Sequence, residues 1–315
     1  MIVRPRPKGI EYFLLLRGSI LPNIWRKLAV TIAMAIIVTL MHGSLYHFKI
    51  KLTTIPFTLM GLALAIFLGF RNSASYERYW EGRKLWGSLG TANRNLVRQV
   101  HMFLRPVEVG NDLENQEMSR LRQKIVYSAI AFAHALRHQL REESWGEDIA
   151  RLLPAESAAT LQRLQNPAAG LLQSVGTDIH YCLQRNWLAA PLAQEMDRSL
   201  SQMTEVLGGC ERIKNTPIPF SYSVLLHRTV YVYCYLLPFG LIDSIGLLTP
   251  VVVGVVAYTF FGLDAIGDEI EEPFGLTPND LPLTALSYGI EISARELIGD
   301  VHLPSMPPPV DFCLQ

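Results

Sequence analysis

Gly61 to Phe70 reads G-L-A-L-A-I-F-L-G-F, a stretch without charge whose spacing sets two stripes along one helix. Gly61, Ala65 and Gly69 recur at every fourth position and form a small stripe. Leu62, Ile66 and Phe70 form a bulky apolar stripe beside it. Small residues at this spacing let helices approach closely, so the small stripe is expected to seat the helix against a neighbour. The bulky stripe has two readings. It can face lipid, as in ordinary packing of a membrane helix. Or it can face a central axis and narrow it, because a ring of apolar side chains gates water and ions by dewetting.

That stretch lies in a charge-free run from Ile55 to Phe70, and three further runs share the lack of charge: Leu28 to Met41, Thr229 to Ile242 and Ser244 to Leu263. A lipid-exposed helix needs about 20 apolar residues. The last stretch meets that, and neutral neighbours or snorkelling Arg and Lys extend the others. Composition agrees, with 50% hydrophobic and only 18% charged residues, against about 25% charge in a soluble domain. The mean hydropathy is +0.21. The competing reading is a soluble helical protein that buries all of these runs in one core. Four such runs in a single chain make that core hard to build.

The distribution of basic residues orients the spans. Arg17, Arg26 and Lys27 precede the first run, and Arg71, Arg78, Arg83 and Lys84 follow the second. Only Lys49 and Lys51 occupy the connection between them. Arg212, Lys214 and Arg228 precede the third run, and the last two runs turn near Asp243 to Pro250. The expectation is an all-α membrane protein with four transmembrane helices in two hairpins and both termini cytoplasmic. The hairpins fall at about 24–70 and 220–263, around a cytosolic helical region at about 71–219, with a cytosolic C-terminal region at about 264–315. The basic N-terminus (Arg4, Arg6, Lys8) precedes the first run by too much, and without an A-x-A-like site, for a cleaved leader, so that run is expected to be retained.

In the region between the hairpins, Ile130, Ala133 and Leu136 recur at helical spacing. Breaks at Pro154, Asn166-Pro167 and Pro191 divide it into several helices. The proline-rich tail, Pro304 to Gln315, is expected to run extended.

Few residues point to chemistry. His134 and His138 stand four apart, so both can face one metal, but no glutamate follows His134 as the zincin pattern requires. Packed or solvated histidines are the plainer reading. Asp264, Asp268, Glu269, Glu271 and Glu272 cluster after the fourth run, as a cation site or as the charged end of a helix leaving the membrane. Tyr231, Tyr233 and Tyr235 spread around their helix and read as packing and interfacial anchors. Cys182, Cys210, Cys234 and Cys313 form no C-x-x-C pair, so reduced thiols are expected. No nucleophile elbow, P-loop or dinucleotide fingerprint is present, and an enzyme is not expected. Nor is a nucleic-acid partner, since 28 basic residues balance 28 acidic ones. No cofactor or metal is expected.

The stripe runs directly into Arg71-Asn72-Ser73-Ala74-Ser75-Tyr76-Glu77-Arg78-Tyr79-Trp80, then Trp86-Gly87. This joined pattern resembles the prokaryotic bestrophins. So do Cys210-Glu211-Arg212-Ile213 with Thr216-Pro217-Ile218-Pro219-Phe220, His227-Arg228-Thr229, and Glu271-Glu272-Pro273-Phe274-Gly275. The blocks follow the family's order across nearly the whole chain. The resemblance implies a homopentameric ion channel in the cell membrane, expected to be the bacterial inner membrane. Lipid, monovalent ions and other copies of the chain would be its partners. It implies a pore neck at Leu62, Ile66 and Phe70, and a lower constriction after Asn166-Pro167, at Leu171 or Leu172. Animal members follow P-F-G with a dense acidic run that clasps calcium. Here the continuation is Leu276-Thr277-Pro278-Asn279-Asp280, with a single Asp where calcium needs several oxygen ligands. No calcium gating is therefore expected. Animal members also carry aromatics at the two lower neck positions. Ile66 offers none of the positive ring edge that favours anions, so monovalent cations are the expected preference. The competing function is a membrane scaffold or sensor whose cytosolic bundle binds a partner. A secondary transporter ranks below both, because the hairpins show no internal similarity.

Overall fold

The computed structural model describes residues 1–4, 9–11, 15, 18–41, 44–45, 48–49, 53–106 and 112–314. Arg6, Lys8, Arg17 and Lys51, part of the expected charge pattern, lie outside the described residues. The described chain is helical, with one exception to the all-α expectation: a two-stranded antiparallel ribbon, β1 (Ser44–Leu45) and β2 (Phe48–Lys49), in the first connection. Two compact units divide the chain, one formed by Ile2–Tyr79 and Pro217–Pro273, the other by Met1, Trp80–Thr216 and Phe274–Gln315.

The first unit contains α1 (Leu21–Leu40), residues 54–79 of α2 (Thr54–Phe103), α8 (Phe220–Ile245) and α9 (Thr249–Glu271). Each sits on one of the charge-free runs. Pro22 and Pro250 stand in the first turns of α1 and α9, where a missing N–H costs nothing. A 3₁₀ turn, Gly246–Leu248, separates α8 from α9, and Gly246 adopts φ +53°, a conformation other residues resist. Leu21–Leu40, a window of α2, and the Phe220–Glu271 segment are long and apolar enough to cross a membrane. The core joins Ile24, Leu64, Leu68, Val230, Cys234 and Phe261. Buried Thr31 and Thr39 return their hydroxyls to the carbonyls of Lys27 and Ala35 in their own helix, which satisfies them without water. Ile37, Leu40, Val251 and Val255 instead face outward.

The second unit contains residues 80–103 of α2, then α3 (Asp112–Arg141), α4 (Glu147–Ala150), α5 (Ala155–Gln162), α6 (Pro167–Gln184), α7 (Ala190–Asn215) and α10 (Leu283–Leu297). Helix α3 is its centre, packed against α6 and α10. Periodicity predicts one apolar face there, but Ala129 to Leu136 are buried all round, as befits a helix enclosed by others. Asn166 caps α6, its Oδ1 accepting from the Ala169 N–H at 3.0 Å, and Pro167 opens the helix. Gly209 of α7 lies against the Leu85 side chain of α2, so close that an added Cβ would collide with it. The C-terminal tail is extended and closes with a bridge between Val310 and Cys313.

Candidate functional site

The first unit's share of α2 presents two apolar faces. Phe57, Leu64, Leu68, Arg71 and Ser75 are buried, and with Gly61 they repeat at alternating steps of four and three. This is the face the subunit packs on itself. Leu62, Ile66 and Phe70 are 62%, 48% and 64% exposed. Leu62 and Leu64 are two positions apart, about 200° around a helix, so the bulky stripe lies opposite the packed face. The small stripe divides. Gly61 meets the Tyr233 hydroxyl so closely that a Cβ would stand 2.7 Å from it. Gly69 has open space beside it, and Ala65 is exposed. Of the small stripe, then, Gly61 is the member seated closely among the described residues, while Leu64 and Leu68 are buried in the core.

One residue below Phe70, the helix is anchored by charge. Arg71 is 2% exposed. Its guanidinium donates to Asp264 at 2.9 Å and to Asp268, and Glu271 lies 3.8 Å away. His227 Nδ1 reaches the other Asp264 oxygen at 2.7 Å. Asn72 donates to the Leu263 carbonyl at 3.1 Å, Arg78 to the Glu271 carbonyl at 3.0 Å, and Ile218 N–H to the Glu271 carboxylate at 3.0 Å. Asn23 of α1 donates to Glu269 at 2.6 Å. The knot therefore ties α2 to α9, α8 and the segment before α8, and α1 to α9. Asp264, Asp268 and Glu271 thus gather around Arg71 within the subunit. His227, Asp264 and Asp268 have the donor types for a cation, yet Arg71 already supplies the positive charge there. Sequence reasoning missed this partnership. An arginine directly after an apolar span had to be either paired or solvated, and that was the available signal.

In the second unit, His134 and His138 are both buried, in agreement with the packed reading. His134 Nε2 lies 2.9 Å from Glu291, and its Nδ1 lies 3.2 Å from Asp148. His138 Nε2 is 3.1 Å from Asp148, which also pairs with Arg137. Arg151 and Arg295 close on Glu291 at 2.6 and 3.3 Å. Burial pushes the Asp148 carboxyl up, but hydrogen bonds from both histidines and the Arg137 charge outweigh it and hold it well below the carboxylate range. The guanidinium beside the histidines fills the role a metal would have.

Leu171 and Leu172 are the residues expected at the lower constriction. They are 1% and 7% exposed, turned into the subunit where α6 packs on α3 and α7. Asp280, the single acid after P-F-G, accepts from the Thr277 N–H and hydroxyl, both at 2.7 Å, and so closes a turn.

The family model for the bacterial/fungal bestrophin protein matches residues 1–296. The voltage-dependent anion channel-forming protein RSc3414 of Ralstonia nicotianae is 40% identical over 303 residues, covering 96% of each chain. YneE of Escherichia coli K12, with the same descriptive name, is 38% identical over 305 residues, covering 97% of this chain and 96% of that one. The crystal structure of a bacterial bestrophin homologue from Klebsiella pneumoniae superposes with a TM-score of 0.82 at 37% identity, covering 89% of this chain and 100% of that one. Sequence blocks, helical architecture and relatives agree: the chain belongs to the bacterial and fungal bestrophin family.

Proposed function

We propose that the chain is one subunit of a homopentameric ion channel, and that Leu62, Ile66 and Phe70 of α2 line its neck. The exposed stripe opposite the packed face carries this reading. It is apolar, regular and unused by the subunit's own core. Five copies of such a stripe around an axis make a dewetting constriction. Arg71, locked one residue below, fixes the rotation of α2 and hence what the stripe faces. Four spans, from α1, α2, α8 and α9, put both termini on the cytoplasmic side of a bacterial inner membrane, with the region at about 71–219 as an inner vestibule. Lipid surrounds the spans. Relatives named as channel-forming proteins support transport rather than catalysis.

The pore passes monovalent ions. Two observations pull selectivity in opposite directions. Ile66 in place of an aromatic favours cations, while the curated relatives carry the name of anion channels. We keep cation preference as the proposal, without calcium gating, since Asp280 is engaged by Thr277. Planar-bilayer current under a salt gradient, from purified protein without calcium, tests both parts. A reversal potential on the cation side supports the reading. One on the anion side keeps the channel and reverses its selectivity. No current from intact oligomers, with or without calcium, rejects the channel in favour of a scaffold.

A further inference from the structure

The second unit holds a polar cavity of about 470 Å³ that ion conduction does not use. It forms where the end of α3, the start of α4 and the start of α10 meet, and its size is in the range of small-molecule sites. Its charges are arranged unevenly. Arg137 and Asp148 compensate each other. Arg141 is left over: its guanidinium donates to the Thr284 hydroxyl at 2.8 Å and to the Phe274 carbonyl at 3.4 Å. Among the described residues it forms no ion pair with a carboxylate. Burial holds its pKa below the ordinary value, and the nearby charges of Glu143 and Asp280 only partly offset that. Arg137 Nε, also buried, has no hydrogen-bond partner among the described residues. On the same cavity Glu147 extends an exposed carboxylate without an ion pair among the described residues, and Glu143, whose charge also acts on Arg141, lies 3.4 Å from the His138 ring.

A simple anion would satisfy Arg141 but meet Glu143 and Glu147. A simple cation would meet the reverse. A molecule with both charges, separated, satisfies both ends. We propose that this cavity binds a small zwitterion, its carboxylate on the Arg141 guanidinium and its ammonium towards Glu147 and Glu143. Charge-assisted, fork-shaped recognition of a carboxylate is what an uncompensated arginine offers best.

Calorimetric titration of the full-length oligomer in detergent tests this. The probes are alanine and 6-aminohexanoate, which differ in charge separation, with propionate and propylamine as half-molecules. Saturable binding of at least one zwitterion is expected, about tenfold tighter than either half-molecule. Arg141→Gln should weaken it by about tenfold or more. Glu147→Gln, a change on an exposed helix, should weaken the zwitterion and leave propionate unchanged. The proposal is overturned by absence of saturable binding for both zwitterions, by propionate binding as tightly as the better zwitterion, or by full zwitterion affinity in either variant.

Discussion

Leu62 and Leu64 are two residues apart on one helix and have opposite fates. Leu64 is 2% exposed and sits in the subunit core, and Leu62 is 62% exposed on the far side. Leu68 and Ile66 repeat the contrast one turn on, at 0% and 48%. Hydropathy cannot separate these pairs, because all four side chains are aliphatic and of similar size. What separates them is which partners the rest of the chain provides. The buried face alternates steps of four and three, tracking its neighbours. The exposed face steps by fours on the opposite side and lies outside the subunit's core. One face of α2 therefore holds stability, and the other is free for function.

The largest effect should come from the anchor shared by both faces. Arg71→Met leaves Asp264 buried beside His227 alone, and removing one partner of a buried pair costs about 3–5 kcal/mol. We expect severe loss of folded oligomer, measured by thermal unfolding in detergent. Next, Leu68→Ala should cost about 2–5 kcal/mol from a new cavity, with unchanged unitary conductance in whatever protein folds. Ile66→Ala should invert that pattern: stability within about 0.5 kcal/mol of the parent, and a rise in conductance of about twofold or more as the neck widens. A stability loss at Ile66 equal to that at Leu68 would erase the contrast. The smallest effect concerns a buried charge far from α2. The Asp148 carboxyl is held below its ordinary value, so its contribution is complete at neutral pH. That contribution is lost as pH falls below the ordinary aspartate value of about 3.9. Asp148→Asn should be less stable than the parent at pH 7, and the two should converge on acidification, as followed by circular dichroism.

Much of the first unit was legible. The charge-free runs became α1, α2, α8 and α9, because in a membrane only a helix satisfies its own backbone. The turn expected near Asp243 to Pro250 is the 3₁₀ segment at Gly246. The extent of α2 was not legible. The apolar run ends at Phe70, but the helix continues to Phe103, since the Arg, Glu and Ala residues beyond support a helix as well as Leu does. The charged clusters escaped for a different reason. Arg71 pairs 193 residues away with Asp264, and His134 pairs 157 residues away with Glu291. No local pattern carries such a pairing. At Leu171 the reading stops at a finer level: Asn166-Pro167 marks where α6 begins, but not which of its faces turns inward. The small stripe was half legible, with Gly61 seated on Tyr233 and Gly69 left open.

The most direct test of α2's division of labour is a pair of cysteines read by current. Ile66→Cys and Leu68→Cys would be recorded in planar bilayers before and after a water-soluble, charged thiol reagent. The background is quiet. Cys182, Cys210 and Cys234 are buried, and burial pushes the Cys210 thiol up to about 12. Half-exposed Cys313 would be replaced by serine in both variants. A neck on the exposed face predicts that reagent changes the Ile66→Cys current within seconds to minutes and leaves the Leu68→Cys current unchanged. Unchanged current in Ile66→Cys, with labelling verified on the protein, would contradict it.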